Sequence, residues 1–198
     1  MQAATTFDKL KKTLTPGQVY RRAEFARLSS NVDRHLAQLV KRGDLKKVAP
    51  GMYAAPKKTA FGEAPPDEGS LLGSFLKDDH FVVYGPSQFN ALGLGTTQLY
   101  NRRTVFNRKR VGQFNLGGRV YRFHRWREAP KTLTSEFLVV ELLNNLDDLA
   151  EDREQLLARL KSRLPEFNAQ KLAYAVEHYG TITAKKRYEA LKRKSISA

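Results

Sequence analysis

Cysteine is absent from this 198-residue chain, which excludes disulfides and thiolate metal sites. Long apolar runs are missing too. No stretch approaches the roughly 18 apolar residues that a bilayer span requires, and the opening MQAATTFDKL has no apolar signal-peptide segment. Both absences lead to the expectation of a cytoplasmic protein with no membrane partner. Histidines are few. His35, His80, His124 and His178 have no metal-ligand spacing, and no serine, histidine and aspartate assemble into a triad. The glycine-spaced ALGLGTT of residues 91–97 lacks the G-K-[ST] of a phosphate loop and reads as a turn between helix and strand. Asp44-Leu45-Lys46 has the D-x-K form of metal-dependent nucleases, but the nearest upstream acid, Asp33, falls on a helix. Glu136 and Glu141 lie five apart, about 140° around a helix, and do not converge. The expectation is therefore no catalytic site, no metal and no cofactor.

What the chain has in excess is positive charge. Thirty-five Lys and Arg oppose twenty Asp and Glu, a net +15. An excess of this size repels itself and usually signals a polyanionic partner. Residues 1–60 carry thirteen basic and four acidic groups, residues 61–132 eleven and six, and residues 133–198 eleven and ten. The basic face thus belongs to the first two thirds.

PKKTAFGEAPPDEGS, residues 56–70, has three prolines, two glycines and little that suits a core. It divides the chain into an expected domain 1–58, a linker 59–69 and a second domain 70–198. In the first, TTFDKLKKTL reads as a helix capped by Thr5 or Thr6, with Phe7, Leu10 and Leu14 inward, ended by Thr15-Pro16-Gly17. A short strand at Val19-Tyr20 and a two-turn helix over 22–28, with Phe25 and Leu28 inward, come next. Ser29 or Ser30 caps a helix over 30–42. After the linker the pattern gives a helix at 69–78, a buried strand FVVY at 81–84, and a helix begun by Pro86. Strands follow over 100–127, including the hairpin QFNLGGRVYRF turning at Gly117-Gly118. In that register Phe114, Leu116, Tyr121 and Phe123 share one face, and Gln113, Asn115, Arg122 and His124 the other. Helices near 134–146, 147–163, 168–178 and 183–194 complete the chain.

The helix over 30–42 carries the chemistry. At about 100° per residue, Val32, Leu36, Leu39 and Val40 gather on one side, and Ser30, Asn31, Arg34, Gln38 and Lys41 on the other. Those polar types contact base edges and phosphates: Arg to guanine, Asn or Gln to adenine, Ser and Lys to phosphate oxygens. A short helix and a tight turn precede it, as in a helix-turn-helix whose second helix reads DNA, and Arg22, which opens that short helix, is an expected DNA contact as well. Gly43 ends the reader. LKKV (45–48), Ala49-Pro50-Gly51 and MYAA (52–55) then form a hairpin that presents Lys46 and Lys47, with Lys57 and Lys58 just beyond, in the position of a wing. Taken singly, each part matches an ordinary solvated helix face or a lysine-protected edge strand. Their order within one strongly basic segment is what points to double-stranded DNA.

These residues resemble a known family. YRRAEFARLSSNVDRHLAQLVKRGDLKKVAPGMYAAPKKTAFG is similar to the N-terminal winged helix of AbiEi-like antitoxins, the regulator halves of type IV toxin–antitoxin (abortive-infection) modules of bacteria. VVYGPSQFNALGLGTTQ resembles that family's second domain, and TSEFLVVELLNNL matches more loosely. The resemblance implies two tasks. The first domain would bind operator DNA upstream of its own operon, such as an inverted repeat, and repress that operon. The second would counteract a nucleotidyltransferase-type toxin without forming a stable complex. A stand-alone winged-helix regulator and a DNA-processing enzyme are the alternatives.

From Arg102 to Arg127 nine residues are basic and none is acidic: Arg102, Arg103, Arg108, Lys109, Arg110, Arg119, Arg122, Arg125 and Arg127. Interleaved with them are Tyr100, Phe106, Phe114, Tyr121, Phe123 and Trp126. The arginines offer a second surface for DNA, RNA or an acidic protein, with extra duplex contact favoured. The hairpin register assigns Phe114, Tyr121 and Phe123 to a core instead. The expected fold is α+β: an N-terminal winged helix-turn-helix domain, then a mixed α/β domain with a small antiparallel sheet and C-terminal helices.

Overall fold

A computed structural model describes residues 5–94, 103–126 and 132–193. The elements, in chain order, begin with α1 (Thr6–Lys12), β1 (Val19–Arg21), α2 (Arg22–Ala26), α3 (Val32–Lys41), β2 (Lys46–Ala49), β3 (Met52–Ala54), β4 (Lys57–Thr59), β5 (Gly62–Ala64) and α4 (Glu68–Leu76). They continue with β6 (Phe81–Tyr84), β7 (Arg103–Asn107), β8 (Gly112–Leu116), β9 (Arg119–Arg125), α5 (Ser135–Asn144), α6 (Arg153–Arg163), α7 (Ala169–Tyr179) and α8 (Ile182–Arg193). The class is α+β, with small antiparallel sheets and a helical C-terminal part. No helix among the described residues is long and apolar enough to cross a membrane.

The chain forms two compact units, Met1–Phe81 with Asn107–Arg125 and Val82–Phe106 with Trp126–Ala198. This departs from the expected division at 59–69. That segment is no linker: it holds the β4–β5 hairpin and the start of α4. The reason lies in unsatisfied backbone. β1 is an edge strand in a sheet of order β1-β3-β2. Its Val19 N–H donates to the Ser70 hydroxyl at 2.8 Å, and the Ser74 hydroxyl donates to Val19 O at 3.1 Å. Two α4 serines thus supply the partners that a missing strand would have given. The β8–β9 hairpin returns to the same unit, where the Gly117 N–H donates to Val48 O at 2.9 Å on the other edge strand, β2.

The core of the first unit is Leu10, Phe25, Val32, Leu36, Leu39, Leu45 and Ala55, with Phe7, Leu14, Tyr20 and Tyr53 packed around it. Thr5 caps α1 in a reciprocal box, its hydroxyl accepting the Asp8 N–H while the Asp8 carboxylate accepts the Thr5 N–H, both at 3.2 Å. Two inward assignments fail. Leu28 is 56% exposed, because α2 ends at Ala26 and Leu28 lies in the turn beyond it. Val40 is 38% exposed, and His35 takes the inward position instead.

β8 and β9 pair in the expected register, Phe114 opposite Tyr121 and Gln113 opposite Arg122. Gly117 and Gly118 both have positive φ, 58° and 80°, which a tight two-residue turn of the strands' own twist demands. Leu116, Tyr121 and Phe123 are buried, and Phe75 of α4 packs at a tilt against Phe114 and Phe123, with ring centroids 4.9 and 5.2 Å away.

In the second unit, Pro86–Leu92 forms a 3-10 helix where an ordinary helix was expected. It stops at Gly93, whose φ is 65°. α6 fixes the exit, as Arg163 donates to Leu92 O at 2.5 Å and Arg159 to Leu94 O at 3.0 Å. α5 is central. Every residue from Phe137 to Leu143 is buried, including Glu141. α7 and α8 cover it with Leu172, Val176, Tyr179, Ala184 and Tyr188. The stretch expected as one helix over 147–163 splits into a 3-10 turn, Leu146–Asp148, and α6 capped by Asp152.

Candidate nucleic-acid interface

The short helix α2, the turn 27–31 and α3 sit side by side in the first unit. Three devices fix the turn. Ser29 is buried, and its Oγ lies 2.8 Å from His35 Nδ1 while accepting the Asn31 N–H at 3.1 Å. His35 in turn meets Phe7 edge-on at 5.9 Å. Across the surface, Arg22 grips Asp33 with two hydrogen bonds, Nε to Oδ1 at 2.7 Å and Nη2 to Oδ2 at 2.6 Å. This fork-on-fork pair holds the Asp33 carboxyl below its ordinary value, through the guanidinium hydrogen bonds, and raises Arg22.

On α3, Val32, His35, Leu36 and Leu39 face inward. Ser30, Asn31, Arg34, Gln38 and Lys41 are all exposed. The helix runs from Val32 to Lys41, so Asn31 is its N-cap and Ser30 precedes it, and the Asn31 side chain makes no capping bond. Arg34, Gln38 and Lys41 use no side-chain hydrogen bond or ion pair among the described residues. The acid beside Arg34 in sequence, Asp33, is occupied by Arg22. An uncommitted Arg, Gln and Lys beside a neutralised acid form a surface that anions and base edges can approach without losing an internal contact.

The β2–β3 hairpin adds Lys46 and Lys47, both exposed, with Lys47 opposite Tyr53 and a register shift between Lys47 and Ala49. Its turn is short and tied down, because Gly51 O accepts the Arg22 N–H at 2.9 Å. Lys46 is not free: its Nζ lies 2.7 Å from Glu63 Oε1 on β5. Arg22 and Lys46 are thus engaged inside the first unit, whereas Asn31, Arg34, Gln38, Lys41 and Lys47 are available.

The second basic stretch is dispersed. Arg102 and Arg127 lie outside the described residues. Arg103 opens β7 in the second unit and is half-buried. In the first unit, Lys109 lies 3.3 Å from Asp78 Oδ2 and donates to Lys77 O at 2.5 Å, and Arg110 stacks over Phe75 at 4.4 Å. Asp78 is pulled down to about 2, first by the hydrogen bond from the His80 backbone and then by the His80 and Lys109 side chains. Arg108, Arg119, Arg122 and Arg125 are exposed. Phe106, Tyr121 and Phe123 are buried and Trp126 packs on Phe106 and Tyr179, so these rings are core rather than stacking platforms. Tyr100 lies outside the described residues.

The nuclease-like triplet does not assemble. Asp44 pairs with Lys11 at 3.0 Å, Asp33 with Arg22, and Lys46 with Glu63. No group of three or more metal-ligating side chains occurs among the described residues. Three features escaped the sequence reading: the Arg22–Asp33 fork, the β4–β5 hairpin, and the buried hydrogen-bonded state of Glu141. This carboxylate accepts hydrogen bonds from the Tyr84 hydroxyl and, at 2.7 Å, from Asn144 Nδ2. Only Gly62 and the lysine pair flanking TAF hinted at the hairpin, and proline content outweighed them. Comparison with protein-family models and with curated proteins finds no match.

Proposed function

We propose that the chain is a bacterial DNA-binding transcription regulator whose first unit is a winged helix-turn-helix. The single observation that supports it is the uncommitted row Asn31, Arg34, Gln38 and Lys41 on a buried-backed α3. Order adds weight: α1, β1, α2, α3, β2 and β3, with sheet order β1-β3-β2, is the arrangement in which a reader helix is followed by a hairpin. α3 enters the major groove. Arg34 reads a base, and Lys41 and Lys47 hold phosphates. Arg22 and Asp33 brace the two helices at the required angle, so Arg22 acts by positioning.

The wider reading is an AbiEi-like antitoxin that represses its own operon and counteracts a nucleotidyltransferase-type toxin in the cytoplasm. Its support is the resemblance of residues 20–62 and of the G-P-S-x-x-N-A-L-G-L-x-T-T-Q string. Footprinting on DNA upstream of the gene, at stated salt, tests the first reading. A protected inverted repeat lost in Arg34→Ala is expected, and no protection at any protein concentration refutes it. Co-expression with the product of the adjacent reading frame tests the second, with relief of toxicity as the expected outcome.

A further inference from the structure

Phe61 is fully exposed, at 101% of its reference area, and it is the most exposed large apolar side chain in the described part of the molecule. It sits at the tip of the β4–β5 hairpin, where Lys57 pairs with Ala64, Lys58 with Glu63 and Thr59 with Gly62, leaving Ala60-Phe61 as a two-residue loop. Turn chemistry gives no reason for phenylalanine there. Such loops favour Gly, Asn and Asp, and burial of a Phe elsewhere in the chain would be favourable.

The hairpin's surroundings are organised around charge. Lys57 and Lys58 are exposed, and neither has an ion-pair partner among the described residues. The one acid on the hairpin, Glu63, is neutralised by Lys46 at 2.7 Å, which also pins the hairpin against β2. A two-stranded hairpin is marginal by itself. This one is further held at its base, where the Gly17 N–H donates to Ala55 O at 2.8 Å and the Asp67 N–H donates to Gly17 O at 2.9 Å. Thr59 closes the loop by donating its hydroxyl to Gly62 O at 2.8 Å. The β2–β3 turn, by contrast, is fastened to α2 through Gly51 and Arg22. Of the two adjacent hairpins, the second is the one whose tip projects.

Resting on the DNA-binding reading above, we infer that the β4–β5 hairpin is a second wing beside β2–β3, with Lys57 and Lys58 on the phosphates and Phe61 wedged into a base step of the minor groove. An apolar ring on a cationic finger suits that ligand: the lysines offset the phosphate charge along the groove walls, and the ring takes the place of stacking lost at the opened step. An acidic protein surface would use the lysines but leave the ring without a partner.

The test uses the full chain and duplexes of its upstream DNA bearing 2-aminopurine at successive steps, with anisotropy titrations over a range of salt. Wild type should brighten one step on binding. Phe61→Ala should abolish that signal and weaken binding about tenfold with the salt slope unchanged, Phe61→Trp should restore both, and Lys58→Ala should lower the slope by about one unit. Full affinity of Phe61→Ala with no bright step in wild type overturns the wedge while loss of binding in Arg34→Ala still upholds the reader helix. Failure of wild type to bind any duplex removes the regulator reading itself. A Phe61→Ala change confined to the sedimentation of the free protein would assign Phe61 to contact with a second copy and also overturn the wedge.

Discussion

Tyr84→Phe removes one oxygen from the centre of the second unit. Glu141 is 3% exposed, and its two carboxylate oxygens have separate donors. Oε1 accepts from Asn144 Nδ2 at 2.7 Å, whereas Oε2 depends on the Tyr84 hydroxyl, its other donor, Asn145 Nδ2, being 3.5 Å away. Deleting the hydroxyl keeps the ring packing and strips Oε2 of its short bond. Leaving a buried acceptor without its donor costs about 1–3 kcal/mol, so a loss near 2 kcal/mol is expected. For a chain of this size that lowers Tm by about 4–8 °C.

The effect has a pH signature. Burial raises the Glu141 carboxyl above its ordinary value, and the Tyr84 hydrogen bond opposes that rise. A carboxyl whose folded pKa lies above its unfolded one contributes full stability below the unfolded pKa, and that contribution is lost as pH climbs through the folded pKa. Without the Tyr84 donor the folded pKa moves higher still, so Tyr84→Phe should cost more at pH 8 than at pH 5. Thermal unfolding followed by circular dichroism at both pH values measures this, and Glu141→Gln supplies the control in which the difference vanishes. An equal Tm loss at the two pH values, or none, would refute the claim that the hydroxyl acts through the glutamate's charge.

Three further perturbations probe the rest. Leu39→Ala empties a fully buried position under α3 and should cost about 2–5 kcal/mol in denaturant unfolding, with loss of α3 helicity by hydrogen exchange. Asp33→Ala releases Arg22 from its two hydrogen bonds and removes a negative charge next to Arg34 on the proposed reader helix. Affinity for random-sequence duplex should rise and the salt slope should steepen by about one unit in anisotropy titrations. Gly93→Ala places a Cβ within 1.7 Å of the Arg163 guanidinium at φ 65°. It should therefore lower Tm by an amount equivalent to more than about 1 kcal/mol, and Arg163→Ala in the same chain should recover part of it.

Periodicity and local chemistry were enough to determine the α+β class and most elements, because capping, helical spacing and strand alternation are short-range. A threonine cap at Thr5 or Thr6, the apolar row Val32, Leu36 and Leu39, and the Gly117-Gly118 turn with its Phe114–Tyr121 face were all legible for that reason. The split of the candidate reader into buried and exposed sides was legible too, except at His35 and Val40, where a buried serine six residues away decides which side chain turns in. What tertiary structure alone decided is long-range. No local pattern reveals that Ser70 and Ser74 complete the edge of β1, that Glu63 holds Lys46, or that a segment rich in proline and glycine closes into a lysine-flanked hairpin. Which charges are free to meet a partner depends on those distant pairings, since an ion pair between residues far apart in sequence exists only once the chain has folded.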